Sequence, residues 1–288
     1  MTEQPVVSVL MTAYNRELYI AEAIESVLAS TYNNFELIIV DDASKDKTAA
    51  IARSYAAKDP RVKVYVNERN LGDYPNRNKA ASYASGKYLK YLDSDDKIFD
   101  FGLAYCVEQM ERSPECGIGM IVYYDMGPGD SICWNSEKIV RQHFFNRQYL
   151  QIGPSGTIIR RDRFEQIGGF DTRFGVASDM YFNISMASSS AVLLLQKRFF
   201  YYREHEGQEA NNVAGYLKFG YLYFKELIEE GKLPLSKSEI HFLCRKMKKR
   251  HSVNLTRFVL KSKDWGSLRQ LMKETHFGFS DLLAGYFK

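Results

Sequence analysis

Asp93-Ser94-Asp95-Asp96 puts three carboxylates into four consecutive residues. Carboxylates this close repel one another unless a cation sits among them, and their hard oxygens suit Mg²⁺ or Mn²⁺. A cation held there can bridge a diphosphate and neutralise the charge that grows on it as it leaves. A solvated acidic turn would have the same composition; the apolar run Lys87 to Leu92 directly before the cluster favours a site. A second group is Thr12-Ala13-Tyr14-Asn15 together with Asp41-Asp42. A uracil ring could stack on Tyr14 while Asp42 accepts its N–H. The bland alternative is that Thr12 or Asn15 caps the following helix and that Asp42 and Ser44 form a turn. The two uses are compatible.

The elements that must position these groups read as alternating strand and helix. Val6 to Met11 (VVSVLM) is a short buried strand, and residues 17 to 29 put Ile20, Ile24, Val27 and Leu28 on one helical face. Phe35 to Val40 is a second strand ending at Asp41-Asp42, with Ser44 able to cap the next helix. Val62 to Val66 is a third strand, a helix lies around Asn78 to Ala84, and Lys87 to Leu92 is a fourth strand ending in the acidic cluster. This alternation predicts an α/β fold with a mostly parallel central sheet and helices on both faces. The polar groups fall just past strand ends, where open α/β sheets bind ligands. Further on the pattern is less regular: a helix near 99–112, strands near 117–124, 157–160, 191–195 and 198–202, and a helix over 179–188. From about Val213 it turns helical, interrupted at Gly231 to Pro234.

Length and charge bound the function. A chain of 288 residues can bury a large core, and 26% charged residues is ordinary for a globular protein. The 20 Tyr and 18 Phe suit carbohydrate or base stacking, though aromatic-rich cores explain them more commonly. Five cations stand within seven residues at Arg245 to His251; a solvated helix face or a membrane contact fits this run better than nucleic acid, for which no motif accompanies it. Cys106, Cys116, Cys133 and Cys244 show no metal-like spacing and read as reduced thiols. The N-terminal MTEQPVV has no signal-peptide pattern, and no apolar stretch is long enough to span a bilayer, so a cytoplasmic protein is expected, soluble or peripheral at the inner face of the membrane.

The ordered set SVLMTAYNRELYIAEAIESVL, FELIIVDDASKDKT, NLGDYPNRNKA and YLKYLDSDD resembles the family 2 inverting glycosyltransferases with the GT-A fold. The likeness covers residues 6 to about 100 closely. It continues more loosely through Gly168-Gly169-Phe170-Asp171 and Ser178-Asp179 to Tyr202-Arg203-Glu204-His205. The resemblance implies that Thr12, Tyr14 and Asp42, with Asn15 and Asp41 beside them, hold the nucleotide base. It puts Arg77 and Asn78 beside the diphosphate and donor sugar. Asp93, Asp95 and Asp96 correspond to the acidic motif that meets metal and ribose, and His205 matches a histidine that reaches the metal or diphosphate. Asp179 stands where the family has its catalytic base, and Ser178 replaces the acid that usually precedes it.

The implied activity is metal-dependent, inverting transfer of a sugar, of hexosyl type, from a nucleotide-sugar (a UDP-sugar by resemblance) to a hydroxyl of a glycan or lipid-linked acceptor in surface polysaccharide synthesis. Gly153 to Thr157 would lie toward the acceptor side. The implied organisation is a catalytic domain over 1–212, divided near residue 100 into nucleotide-binding and acceptor-side halves, and a helical extension over 213–288. No G-x-G-x-x-G follows the first strand and no P-loop is present, which sets aside dinucleotide oxidoreductases and P-loop enzymes. A non-catalytic nucleotide-sugar-binding scaffold of the same fold remains the alternative.

Overall fold

Two strands with no solvent face build the centre. In β1 (Val7–Ala13) and β2 (Phe35–Asp41) nearly every residue is buried, as expected of parallel strands covered on both sides. Side chains alternate along a strand, and the core divides accordingly. Val7, Val9, Met11, Leu37 and Ile39 meet helices α1 (Ile20–Leu28), α2 (Thr48–Ala56) and α4 (Gly102–Arg112). Leu10, Ile38 and Val40 turn to the other face, toward α3 (Asp73–Ser82), α5 (Ser136–Phe145), α6 (Arg161–Ile167) and α7 (Ser178–Ser189). The computed structural model describes residues 4–205 and 212–287; residues 1–3, 206–211 and 288, including the stretch just before the expected boundary at 212, lie outside the described residues.

The remaining strands are β3 (Val62–Val66), β4 (Tyr88–Tyr91), β5 (Lys97–Ile98), β6 (Cys116–Ile121), β7 (Ser131–Trp134), β8 (Thr157–Arg160), β9 (Ala191–Leu195) and β10 (Phe200–Tyr201). The main sheet runs β3-β2-β1-β4-β8-β6-β9-β7, parallel from β3 to β4. The antiparallel β8 separates β4 from β6, so β6 and β9 again run in the direction of β4. The carboxyl ends of β1, β2, β4, β6 and β9 therefore share one edge. This is the expected mixed, mostly parallel α/β fold.

Three local readings change. The stretch 198–202 forms only β10, which pairs with β5 in a separate ribbon and leads Arg203 and His205 onto the acidic loop. The strand near 117–124 ends at Ile121, leaving Tyr123 and Tyr124 exposed. Ser44 does not cap α2: Asp46 Oδ1 accepts the Thr48 N–H at 2.9 Å, while Ser44 serves the neighbouring loop. Helix α5, in the irregular middle, starts at an Asn135 cap whose Oδ1 accepts from the Lys138 N–H.

Helix α8 (Val213–Glu229) faces two ways. Leu227 packs into the core behind the sheet, whereas Tyr221 joins a second cluster with Met247, Leu255, Leu271 and Phe277. These last come from α9 (Lys237–Ser262), α10 (Trp265–Glu274) and the segment before α11 (Phe279–Phe287). A capping box of Ser236 and Glu239 starts α9. Among the described residues no helix is long and apolar enough to cross a membrane.

Candidate functional site

The loops after β1 and β2 are laced together. Asn15, at a left-handed φ of 52°, donates its N–H to Ser44 Oγ at 2.9 Å and accepts the Lys45 N–H on Oδ1 at 2.9 Å. Neither Thr12 nor Asn15 caps α1, whose N-cap is Tyr19 with no side-chain bond. Thr12 stands opposite Val40 in register near the end of β1, and Tyr14 is exposed at the loop surface. Asp41 accepts the Ser44 N–H on Oδ2, while its buried Oδ1 has no hydrogen-bond partner. Asp42 is a clasp: Oδ1 accepts from Asn67 and Leu71, Oδ2 from Leu71 and Gly72, all at 2.8–3.0 Å. The Leu71 N–H is shared between both oxygens.

The acidic loop follows β4. Arg77 Nη2 lies 2.7 Å from Asp93 Oδ1, and its Nε bonds Asp73 Oδ1 at 2.8 Å. Burial works against the Arg77 charge, but Asp73 and Asp93 outweigh it and hold the guanidinium well above its ordinary pKa. Its Nη1 is buried without a hydrogen-bond partner. Asp95 Oδ2 meets both Arg16 Nε at 3.0 Å and His205 Nε2 at 2.9 Å, and the His205 ring stacks on Tyr19. Asp96 accepts the Arg203 N–H on Oδ1 at 3.1 Å, and its Oδ2 is buried and unbonded. Burial, then the nearby Asp93 charge, pushes its carboxyl above the ordinary range.

Beneath this loop lies Lys90, fully buried in β4. Its Nζ donates to Tyr91 O at 2.5 Å and Ser155 O at 2.6 Å, and Ser155 Oγ accepts the Asp93 N–H at 2.9 Å. Burial drives the ammonium down to about 8, against the pull of neighbouring anions that include Asp93 and Asp96. Arg16, Lys90 and Arg203 are site residues that the sequence reading does not pick out. A lysine inside the apolar run KYLKYL was the available signal, since a buried ammonium needs oxygens around it.

A divalent cation fits this donor set in part. Asp95 Oδ2 and His205 Nε2 are 2.9 Å apart, close to the roughly 3 Å between neighbouring ligands of an octahedral ion bound at about 2.1 Å. Among the described residues the acids and His205 do not bring three ligand atoms within 4.8 Å of one another. Two protein ligands completed by substrate oxygens is the ordinary arrangement for Mg²⁺ in phosphate-binding sites. The group that does gather three such atoms is Glu115, Cys116 and Cys133, at the opposite end of β6.

Asp179 stands apart from these acids. It is the second residue of α7, buried, with Oδ1 accepting the Met180 N–H at 2.7 Å. Burial raises its carboxyl to about 7, although the Met180 N–H, a hydrogen bond from Tyr74 and the Arg77 charge all pull it down. Tyr74 and Arg77 share the first turns of α3, so one helix end touches both Asp93 and Asp179. Ser178 donates its hydroxyl to Gly175 O, and Gly175, at φ 47°, lies against Phe219 of α8, where a Cβ would come within 2.7 Å of the ring. Asn78, in the next turn of α3, is held by the backbone of Phe170. Its amide donates to Phe170 O and accepts from Phe170 N, pinning α3 to the turn at Gly169.

Comparison with known proteins follows the same lines. The model of Glycosyl transferase family 2 matches residues 8–168, more than half of the chain. The uncharacterized glycosyltransferase MJ1057 of Methanocaldococcus jannaschii is 34% identical over 161 residues, 53% of this chain and 55% of that protein. Minor teichoic acid biosynthesis protein GgaB of Bacillus subtilis is 44% identical over 93 residues, 32% of this chain and 10% of its own length. The matched stretch thus spans about half the length, or less, of these curated relatives. Among solved structures, residues 1–349 of TarS from S. aureus, in complex with UDP-GlcNAc, align with a TM-score of 0.73 at 20% identity, covering 97% of this chain and 81% of that one. The mannosyltransferase PcManGT from Pyrobaculum calidifontis, in complex with GDP-Man and Mn²⁺, gives 0.64 at 16% identity over 100% of this chain and 87% of its own. At these identities the likeness is one of fold, the GT-A-type α/β fold with C-terminal helices.

Proposed function

The chain belongs to glycosyl transferase family 2, and from that premise we propose that it transfers a sugar from a UDP-sugar to an acceptor hydroxyl, with inversion, in surface polysaccharide synthesis. The observation that carries this reading is the shared helix end: α3 holds an acidic loop suited to a cation and diphosphate through Arg77, and a buried carboxyl titrating near neutrality through Tyr74. Asp179 takes the proton of the acceptor hydroxyl while that oxygen bonds to the anomeric carbon. The bond from that carbon to the diphosphate oxygen breaks on the opposite face, so an α-linked donor gives a β-linked product. The unbonded Nη1 of Arg77 donates to the departing phosphate.

Mn²⁺ or Mg²⁺ would be held by Asp95 and His205, with Asp93 and Asp96 beside them, and would supply neutralising charge for the leaving diphosphate. The base lies over Tyr14 and Thr12. Because Leu71 shares its N–H between both oxygens of Asp42, that carboxylate can accept a base N–H without releasing the loop. We assign residues 1–212 to the catalytic unit and 213–288 to a helical extension. In the latter, 15 Lys and Arg stand against 7 Asp and Glu, which suits a peripheral contact with the anionic inner face of a membrane carrying a lipid-linked acceptor.

The test is thermal shift with a panel of nucleoside diphosphates, with and without Mn²⁺, on the wild type and Asp95→Ala. Stabilisation by UDP that needs both metal and Asp95 supports the donor site, and transfer or donor hydrolysis lost in Asp179→Asn supports the base. If no nucleotide binds under any metal condition, the fold acts as a scaffold and the reading fails.

A further inference from the structure

Beside the acidic edge lies an open cleft of about 470 Å³, at the carboxyl ends of β6 and β9. Its lining includes Tyr123 and Tyr124 after β6, Gln196 and Arg198 after β9, and Gly127 and Gly129 in the rim loop before β7. Tyr123 is 62% exposed. The cleft shares the carboxyl-end edge of the sheet with the acidic loop, with β8 standing between β4 and β6. Its rim is fixed in place: Gln196 accepts the Met126 N–H at 2.9 Å and donates to Gly129 O at 2.8 Å, and Asp125 accepts the Gly127 N–H at 2.9 Å.

The cleft is also tied to the helix of the candidate base. Tyr124 packs edge-on against Tyr149, and the carbonyls of Leu150 and Ile152, just beyond, accept from Asn183 Nδ2 at 3.0 and 2.8 Å. Asn183 lies four residues after Asp179, on the same face of α7. A molecule seated on Tyr123 and Tyr124 thus lies beside a loop fastened to α7.

The lining specifies the chemistry. Exposed tyrosine faces offer flat apolar area with a polar tip, suited to a sugar ring. Arg198 is the cation in the lining, opposed there by the Asp125 carboxylate, and the Arg147 guanidinium sits 4.8 Å from the centre of the Tyr124 ring. Guanidinium forks match carboxylate and phosphate oxygens. Resting on the proposed transferase reading, we infer that this cleft is the acceptor subsite and takes a saccharide bearing an acidic substituent, with the sugar stacked on Tyr123 and the acid directed to Arg198.

The inference is tested by calorimetric titration of the wild type, Tyr123→Ala and Arg198→Ala. The probes are a glucuronic acid/N-acetylglucosamine tetrasaccharide, a glycerol-phosphate oligomer and neutral chitotetraose. At least one acidic probe should bind the wild type at least tenfold more tightly than chitotetraose, and lose at least tenfold in each variant. Which of the two binds separates uronate from phosphate as the source of charge. Binding of neither acidic probe, equal binding of chitotetraose, or unchanged affinity in Arg198→Ala overturns it. The UDP–Mn²⁺ thermal shift, run on the same samples, should be unchanged by both substitutions. Its absence in a wild type that still binds the acidic probe would sink the transferase reading and leave the cleft standing; its presence without saccharide binding would do the reverse.

Discussion

The acidic loop and Asp179 use the same functional group in opposite ways. Asp93 and Asp95 each lie within 3.0 Å of a guanidinium, from Arg77 and Arg16, and the Lys90 ammonium lies beneath the loop. Asp179 has no ion pair among the described residues; a backbone N–H and the Tyr74 hydroxyl are its contacts, and burial dominates. The first environment sets a cation directly against each of Asp93 and Asp95. The second keeps a carboxyl near its protonation midpoint at neutral pH, which suits a proton acceptor. Local pairing, rather than residue type, sets the two kinds of carboxyl apart.

The sharpest way to break this contrast is Asp179→Asn. Transfer should fall by about 10²–10⁴-fold, the usual contribution of a general base, with the UDP–Mn²⁺ thermal shift intact; transfer within threefold of wild type would remove Asp179 from the chemistry. The same variant carries a stability signature. A carboxyl raised from 3.8 to about 7 binds more protons folded than unfolded between those values, so its cost to the fold is absent below about pH 4 and grows until about pH 7. Asp179→Asn should therefore be more stable than wild type at pH 8, by about 4 kcal/mol, and alike at pH 4. Equal melting at both values would show that the site is wetter than its burial suggests.

In the wild type, rate under saturating donor should climb with pH and level off above about 7, as Asp179 loses its proton. A profile flat from pH 5 to 8 contradicts the assignment. On the other side of the comparison, Arg77→Met removes a cation from between two acids. It should weaken UDP–Mn²⁺ binding by at least tenfold and raise the Asp179 midpoint, because Arg77 holds that carboxyl down. A smaller effect is expected from Lys90→Met, which leaves the Tyr91 and Ser155 carbonyls without their donor. Such a loss costs about 1–3 kcal/mol, read as a lower melting temperature. No change would mean that water replaces the ammonium.

The acidic edge of the sheet was legible because local pattern and chemistry coincide there: buried apolar runs end in Asp41-Asp42 and in Asp93 to Asp96. The partners of those groups were less so. Arg16 reaches Asp95 across 79 residues and Arg203 reaches its backbone across 108, separations that no periodicity encodes. The resemblance places Asn78 beside the diphosphate and donor sugar; that its amide also pins α3 to the turn at Phe170 is not legible from the sequence. Asp42, a base contact in the proposed reading, likewise fastens residues 67–72. The ribbon of β5 and β10 was hidden because two-residue strands are too short to show alternation.

Helix α8 has a consequence for cooperativity. Leu222 and Ile228 pack against both the core behind the sheet and the cluster of the last helices, and Phe219 closes over Gly175 just ahead of Asp179. Fraying of the carboxyl-terminal helices would therefore hydrate the pocket that keeps Asp179 near neutrality. Heating should give a single calorimetric transition, with activity lost along with it rather than after a separate early melt of the last 76 residues.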